Sequence, residues 1–318
     1  MVDRDKKIEH FLNLINAFSD HCDDVIYHYT SSDGLKGIVE NSELWLTNTA
    51  FVNDTSECKA LGNEIDILDG GDIKNKHMIN GWENFKRQPD SNNTYIVSFS
   101  KGEEYLLEQL RAYGNFRIGF DAKKIWKNKF NLFRCVYTKD EILQWITEKS
   151  NLPEWDSELL DDDWKGAAAY NLIYAATRKY KNIHFKNEKE VRLVVNSNHT
   201  WGIYTNSQSM YENDPPIYYR GHPRYNFPIP YVKYTLSEKN TESNTNEKSE
   251  IESAMEMKRR KLSEEQGQPR QLLPITEVLI GPMPHQNEAK LACEIILCDK
   301  GYSNVKVVAT RDIPYRGF

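Results

Sequence analysis

Short apolar or alternating stretches, separated by polar turns, run along most of the chain. Such stretches predict β-strands, because successive side chains of a strand point to opposite faces. The predicted strands cover residues 25–30, 44–47, 95–100, 116–121, 132–137, 185–195, 275–281 and 305–308. Apolar residues at helical spacing predict helices near 4–20, 33–39, 56–68, 103–112, 140–149, 164–180 and 285–300.

One segment interrupts this pattern. Residues 237–250 are almost wholly Ser, Glu, Lys, Asn and Thr, which are too polar to bury a core and predict disorder. A charged helix with a thin apolar stripe follows over 250–265, and strand-helix-strand then resumes at 275. We therefore expect a single domain over residues 1–318, interrupted by a polar, disordered insertion at about 237–270.

Composition narrows the class of protein. The formal net charge of -6 argues against a dominant nucleic-acid-binding surface, and we expect the basic residues of 178–181 on a solvated face. The five cysteines are scattered and odd in number, which favours a reducing cytosol over a disulfide framework. No signal peptide and no run of about twenty apolar residues is visible, so we expect a cytoplasmic protein without membrane contact.

Two polar clusters stand inside apolar stretches. The first centres on His28, which is typical either of a hydrogen-bonded core histidine or of a ligand contact. In the second, Glu188, Glu190 and Arg192 recur at every second position, so we expect them on one face of a strand. Two carboxylates that point the same way repel each other. They predict either a site for a polar ligand or an ion pair with Arg192.

A divalent metal is one possible ligand. Asp54 or Glu57 could join Glu188 and Glu190 in a nuclease-like site, because carboxylates bind hard cations. Arg192 stands where such a site needs a lysine, and an arginine does not deprotonate to activate water. We therefore expect no metal.

Several segments resemble a bacterial family known as domain of unknown function twenty-nine seventy-one. In chain order they are 27–30, 44–48, 53–57, 98–100, 110–114, 118–121, 185–193, 230–231, 278–282 and 313–316. Together they span nearly the whole chain, although no single motif is specific. The sequence departs from the family at Leu110, where a tryptophan is usual, and in its long polar insertion.

The strand that carries His28, followed by a helix, also resembles that of ADP-ribosyltransferases, including the type that modifies DNA. Those proteins pair a histidine on the first strand with a late glutamate. The resemblance implies an α+β fold with a split mixed or antiparallel sheet and flanking helices, which holds NAD as a substrate in a cleft. Breaking the ribose–nicotinamide bond builds an oxocarbenium-like cation, which a nearby glutamate stabilises.

The resemblance also implies roles for individual residues. Glu190 would be the catalytic glutamate, and Glu188 would orient or deprotonate the acceptor. His28 would bind the adenosine ribose, and an NAD site built on both residues requires His28 and Glu190 to line the same cleft. Tyr29 and Tyr113 would pack the nicotinamide ring, and Arg111 would contact the pyrophosphate. The full set expected to bind NAD is His28, Tyr29, Thr30, Asn53, Ser100, Arg111, Tyr113 and Arg192.

These expectations lead to one function and two alternatives. The leading function is NAD-dependent ADP-ribosyl transfer to a macromolecular acceptor, either protein or nucleic acid. A role as a toxin or phage-defence effector follows by analogy alone. The first alternative is a non-catalytic ligand- or partner-binding module on the same fold. The second is a metal-dependent nuclease.

Overall fold

The computed structural model describes most of the chain. The described residues are 4–52, 58, 61–62, 66–67, 75–87, 93–102, 104, 106–125, 130–197, 214–222, 226–236 and 271–310. Asn53, the expected insertion at about 237–270 and the closing motif 313–316 lie outside them, as does most of the helix expected at 56–68.

Helices and strands follow one another as a mixed series. The helices are α1 (Arg4–Asn16), α2 (Ser32–Asn41), α3 (Lys76–Arg87), α4 (Leu107–Tyr113), α5 (Ala122–Ile125), α6 (Lys139–Ser150), α7 (Asp162–Lys179) and α8 (Gln286–Asp299). The strands are β1 (Val25–Thr30), β2 (Leu44–Asn48), β3 (Thr94–Lys101), β4 (Phe116–Asp121), β5 (Asn131–Arg134), β6 (Glu190–Asn196), β7 (Ile217–Gly221), β8 (Pro228–Tyr234), β9 (Ile275–Ile280) and β10 (Lys306–Ala309).

The described strands form one ten-stranded sheet, in the order β10-β9-β4-β1-β3-β2-β8-β7, with β6 added to β3 and β5 added to β6. The β9–β10 pair is parallel, and the other neighbouring pairs in this sheet are antiparallel. The expectation of a mixed, mostly antiparallel sheet flanked by helices is thereby confirmed.

Strand β3 is the point where the sheet divides. One of its edges pairs with β6 from Thr94 to Ser100. The other edge is shared, because β2 pairs with Tyr95 and Ile96 while β1 pairs with Ser100 and Lys101. In the described sheet neither β1 nor β2 pairs with residues 97–99. We call this place, where β1 and β2 separate along β3, the sheet split.

Two hydrophobic cores cover the two faces of the sheet. The first face packs against α2 and α8, and it receives Val97 of β3 and Leu193 of β6. The second face packs against α1, α3, α6 and α7, and it receives Ile96 and Val194. Neighbouring residues of β3 and β6 therefore enter different cores, as strand geometry requires.

Side-chain caps explain where several helices begin. Thr138 and Glu141 form a reciprocal capping box at the start of α6, and Ser31 and Asp161 cap α2 and α7. These caps satisfy backbone N–H groups that have no partner in the first turn of a helix.

Some predicted boundaries were wrong. The strand expected over 185–195 begins only at Glu190, because residues Ile183–Glu188 form a 3-10 turn that ends at Lys189 in the left-handed region, with φ of 44°. The strand expected over 132–137 is Asn131–Arg134. Strands β7 and β8 and helix α3 were missed. In β7 the four residues after Ile217 are all exposed, so the strand has no alternation of buried and exposed positions.

Gly114 ends α4 at a place where only glycine fits. Its φ is 125°, and an added Cβ would lie 2.5 Å from the carbonyl oxygen of Thr30 and 2.6 Å from the backbone nitrogen of Ser31. We expect Gly114→Ala to lower the free energy of unfolding by about 2 kcal/mol, measured by urea denaturation. Gly166→Ala is the control, because nothing lies within 4 Å of that Cβ in α7. This control should be neutral or stabilising by up to about 1 kcal/mol. Equal effects of the two changes would contradict the steric argument.

Candidate functional site

Glu190, the first residue of β6, is only 3% exposed and sits in a buried ion cluster. Its Oε1 accepts a hydrogen bond from Arg192 Nε at 3.1 Å. Its Oε2 accepts from Arg192 Nη2 at 3.2 Å and also from Lys181 Nζ. Its backbone N–H donates to Tyr137 Oη at 2.8 Å. We call Glu190, Lys181, Arg192 and Tyr137 the Glu190 cluster. Protein donors already occupy both carboxylate oxygens.

The charges of this cluster keep Glu190 ionised. Burial by itself raises the pKa of the carboxyl, but the charges and hydrogen bonds of Arg192 and Lys181 outweigh it and lower the pKa from 4.5 to about 2. Burial raises the pKa of Tyr137 above its ordinary value, so this phenol stays protonated. The cluster is thus a buried carboxylate between two cations.

Glu188 lies outside the strand. It ends the 3-10 turn, its side chain is 22% exposed, and its Oε2 accepts from Lys181 Nζ at 2.9 Å. The expectation that Glu188, Glu190 and Arg192 share one strand face is therefore wrong for Glu188. It holds for Glu190 and Arg192, which the structure joins as an ion pair.

His28 and Glu190 point to opposite faces of the sheet. Glu190 is the cross-strand partner of Ser100, which in turn is the partner of Tyr27. Side chains of such partners share a face, so Tyr27 lies on the face of Glu190 and its neighbour His28 on the other. The ring of His28 accordingly approaches Phe99 of the first core, with 5.9 Å between centroids. The expectation that His28 and Glu190 line one cleft is wrong, because the register places Tyr27 in line with Glu190. The NAD site that the resemblance builds on both residues is therefore not formed.

His28 instead lies at the sheet split. Its Nδ1 donates to the carbonyl oxygen of Ser98 at 2.9 Å, a carbonyl in the stretch that neither β1 nor β2 pairs with. Burial lowers the pKa of His28, which favours the neutral ring. A carbonyl oxygen only accepts, so Nδ1 carries the proton and Nε2 is left with a lone pair. The Nδ1–H group of His28 therefore takes the place of a backbone donor to the carbonyl of Ser98, and Nε2 is a hydrogen-bond acceptor.

Tyr29 and Ser100 lie on the same face as Glu190, and both are buried. Tyr29 Oη accepts from the backbone N–H of Leu106 at 2.9 Å. Arg117, which sequence reasoning did not single out, stacks on Tyr27 with its guanidinium carbon 3.5 Å from the ring centroid. Arg117 could have been found from the sequence, because it is a charged residue inside an otherwise apolar strand. Thr30 shares the face of His28 and is also buried.

Arg111 and Tyr113 belong to α4 and are exposed, Tyr113 at 45%. Arg111 and Tyr113 therefore lie in solvent, whereas the residues around Glu190 are buried. The structure brings together Tyr29, Ser100, Glu190 and Arg192 on one face, and leaves Arg111 and Tyr113 on the surface.

The basic residues of 178–181 are buried, so the expectation of a solvated face was wrong. Arg178 stacks on Tyr174, Lys179 pairs with Asp20, and Lys181 binds the carboxylate of Glu190. The reason is that the end of α7 runs along β5 and β6, where these side chains meet partners from distant parts of the chain.

The fold and the site define an α+β protein with a mostly antiparallel open sheet flanked by helices and a buried ion cluster at the start of β6. None of the helices that the structure describes is long and apolar enough to span a membrane. No family model, no curated protein and no solved structure matches the chain.

Proposed function

We propose that the chain is a binding module for an NAD-class nucleotide, built on an ADP-ribosyltransferase-like split sheet. The observation that carries the proposal is the position of His28 at the sheet split, with Nδ1 committed to Ser98 and the Nε2 lone pair left over. A neutral imidazole in that state accepts a hydrogen bond from a ribose hydroxyl.

In this proposal the nucleotide is bound without being cleaved. A glutamate that stabilises an oxocarbenium-like cation needs a free carboxylate oxygen next to the ribose. Arg192 and Lys181 occupy both oxygens of Glu190, and its side chain points away from the face of His28. The Glu190 cluster then stabilises the fold and does no chemistry.

ADP-ribosyl transfer to a protein or nucleic-acid acceptor is the second candidate. One observation favours it: Tyr27, Ser100 and Glu190 form a row across β1, β3 and β6 on one face. Transfer would require NAD to bind on the face of Glu190, opposite His28, and Lys181 or Arg192 to release the carboxylate when it binds. A toxin or phage-defence role would follow from this candidate only. The nuclease gains no support from the described carboxylates, because Lys181 binds both Glu188 and Glu190.

His28→Asn should weaken NAD binding about tenfold, because one hydrogen bond to the ribose is worth about 1.4 kcal/mol. Isothermal titration calorimetry measures the effect. The matched control is His285→Asn, which changes an exposed histidine in front of α8 at φ of 57°, a conformation that asparagine tolerates. In the wild-type protein, the Nε2 nitrogen-15 resonance of His28 should also move on addition of NAD, which tests the contact without a substitution.

Labelled NAD separates the two candidates. Saturable binding without release of nicotinamide supports the binding module. Release of nicotinamide, or transfer of label to protein, DNA or RNA, that is lost in a folded Glu190→Gln variant supports the transferase. Absence of NAD binding at millimolar concentration, with an unmoved His28 resonance, overturns both.

A further inference from the structure

The sheet extends beyond the second core as three strands, β2, β8 and β7. Thr47 of β2 pairs with Ile96, a residue of the second core, so Thr47 and Trp45 lie on the face of that core. Within the part of the chain that the structure describes, the second core nevertheless includes no residue of β2, β8 or β7. Trp45 is 37% exposed, and Tyr218 of β7 is 39% exposed. This end of the face is therefore an aromatic surface in contact with solvent.

Strand register gathers three aromatic rings and two cations on this surface. Tyr231 of β8 is the cross-strand partner of Thr47 in β2 and of Tyr218 in β7. Trp45 stacks on Tyr231 with 4.5 Å between ring centroids, and Tyr218 lies 5.7 Å from Tyr231. We call this set the aromatic platform. Its members are Trp45, Tyr218, Arg220, Tyr231 and Lys233.

The two cations of the aromatic platform lie over its rings. The guanidinium carbon of Arg220 is 5.7 Å from the ring centroid of Trp45. Lys233 Nζ is 4.8 Å from the ring centroid of Tyr218. Lys233 Nζ also pairs with Glu43 Oε1 at 3.1 Å, and the same oxygen accepts from Trp45 Nε1 at 2.8 Å. Glu43 therefore neutralises Lys233 and holds the indole ring in place.

Arg220 is the cation of the aromatic platform that has no counter-charge. Its Nη2 donates to Thr47 Oγ1 at 3.0 Å, and a hydroxyl is a neutral acceptor. Among the described residues, no carboxylate lies within ion-pair distance of Arg220. Its side chain is exposed, so an anionic ligand can reach it. The aromatic platform thus combines flat apolar rings with one unbalanced positive charge.

These two properties together select the kind of ligand. A nucleotide unit supplies one flat base and one negative charge, and bases of every type stack on aromatic side chains. A base inside a duplex is already stacked on its neighbours, so only a single strand can use the rings. An acidic peptide would pair with Arg220 and leave the rings unused.

We propose that the aromatic platform binds a single-stranded nucleic acid. Bases stack on Trp45 and Tyr218, and a phosphate pairs with Arg220. The formal net charge of -6 means that the chain as a whole repels phosphates, so stacking contributes more to binding than charge does. This site is independent of the proposed nucleotide site, because it uses neither His28 nor the sheet split.

A fluorescein-labelled thymidine oligomer of about six nucleotides is a suitable probe, because it forms no duplex with itself. Its fluorescence anisotropy should rise saturably on addition of the protein, with a Kd on the order of 100 μM at about 50 mM salt. An abasic oligomer of the same length keeps the phosphates and lacks the bases, so it should compete at least about tenfold more weakly. Equal competition by the abasic oligomer overturns the inference. Equal competition by a glutamate peptide of the same length overturns it in favour of an acidic protein partner.

Two neighbouring tyrosines of β7 give a matched pair of substitutions. Tyr218→Leu removes a ring of the aromatic platform and should weaken binding of the oligomer at least about tenfold. Tyr219→Leu is the control, because Tyr219 is 61% exposed but points to the opposite face of the sheet. Binding should be unchanged in this control. Equal losses in the two variants overturn the assignment to this face.

The salt dependence tests the contact with phosphate. Neutralising about one phosphate makes the logarithm of the association constant fall with the logarithm of the salt concentration at a slope of about -0.7. Arg220→Gln keeps a donor for Thr47 and removes the charge, so it should abolish most of this slope. An unchanged slope in the variant overturns the pairing of Arg220 with phosphate.

The wild-type protein supplies a test that needs no altered platform. In protein labelled with nitrogen-15 at tryptophan, the indole N–H resonance of Trp45 should shift saturably with the oligomer. The Trp45→Phe variant assigns this resonance by removing it. A resonance that does not move at about ten times the expected Kd overturns the inference. Because this resonance is distinct from that of His28, binding of the oligomer and binding of NAD are measured separately.

Discussion

Glu190→Gln is expected to lower the free energy of unfolding by about 3–5 kcal/mol. The substitution keeps the shape of the side chain and removes its charge. Arg192, which is 0% exposed, and Lys181 would then be buried cations without a full counter-charge. Removing one member of a buried ion group is far more costly than the group is stabilising, because the remaining charges stay desolvated. Urea denaturation at neutral pH measures the loss.

Glu188→Gln is the matched control for this prediction. Glu188 binds the same Lys181 Nζ, but its side chain is 22% exposed and lies in a turn. Water replaces a lost partner there, so the expected cost is at most about 1 kcal/mol. A second variant, Glu190→Gln combined with Lys181→Met, should recover part of the loss, because it removes one of the two cations that pair with Glu190.

A Glu190→Gln variant that is as stable as wild type, or more stable, would change the interpretation of the site. If Glu190→Gln leaves the free energy of unfolding unchanged or raises it, the carboxylate is not a structural ion partner. Residues held for catalysis often cost stability, so such a result would favour the transferase over the binding module.

Acid should remove the stabilisation from Glu190 in a defined window. The pKa of Glu190 is about 2 in the folded protein and 4.5 as the ordinary value, because Arg192 and Lys181 outweigh the effect of burial. A folded pKa below the unfolded one means that the unfolded chain binds the proton first as pH falls. The stabilisation is therefore complete above about pH 5.5 and is lost as the pH falls from about 4.5 towards 2.

The full loss is about 3 kcal/mol, because each pKa unit is worth about 1.4 kcal/mol, and about 2 kcal/mol of it falls above pH 3. The measurement is a set of urea unfolding curves between about pH 7 and pH 3, for wild type and Glu190→Gln. The difference between the two proteins should shrink as the pH falls, since the wild-type unfolded state is then protonated and uncharged like glutamine. A difference that is equal at both ends of this range would show that the charge of Glu190 is not the cause.

The two predictions rest on the same contacts, because Arg192 and Lys181 both hold the carboxylate of Glu190 and lower its pKa. Both describe Glu190 as a residue that stabilises the start of β6. The occupied carboxylate oxygens are the reason for placing the nucleotide at His28 and not at Glu190 in the proposed function.

Much of the secondary structure could be predicted from local pattern. The alternation around Ile26, Val97 and Ile118 places β1, β3 and β4 correctly, because strand geometry alone fixes a period of two. The alternation around Leu193 finds β6 but predicts its start five residues too early. Helices α6, α7 and α8 follow from apolar spacing in the same way. The shared face of Glu190 and Arg192 was also predictable, since the two residues are neighbours at strand spacing.

Other features could not be predicted, because they depend on residues far apart in the chain. The pairing of Tyr27 with Ser100 decides which side chains of β1 lie on the face of Glu190. A register shift of one residue would put His28 on that face in place of Tyr27. The burial of Lys181 depends on a 3-10 turn and on β6 coming alongside it.

The amino-acid sequence by itself determined many of the elements and the shared face of Glu190 and Arg192, because these depend on a local period. Only the tertiary structure decided that His28 and Glu190 lie on opposite faces and that the residues of 178–181 are buried. Register and packing set those relations, and both are properties of strands and helices that meet only when the chain is folded.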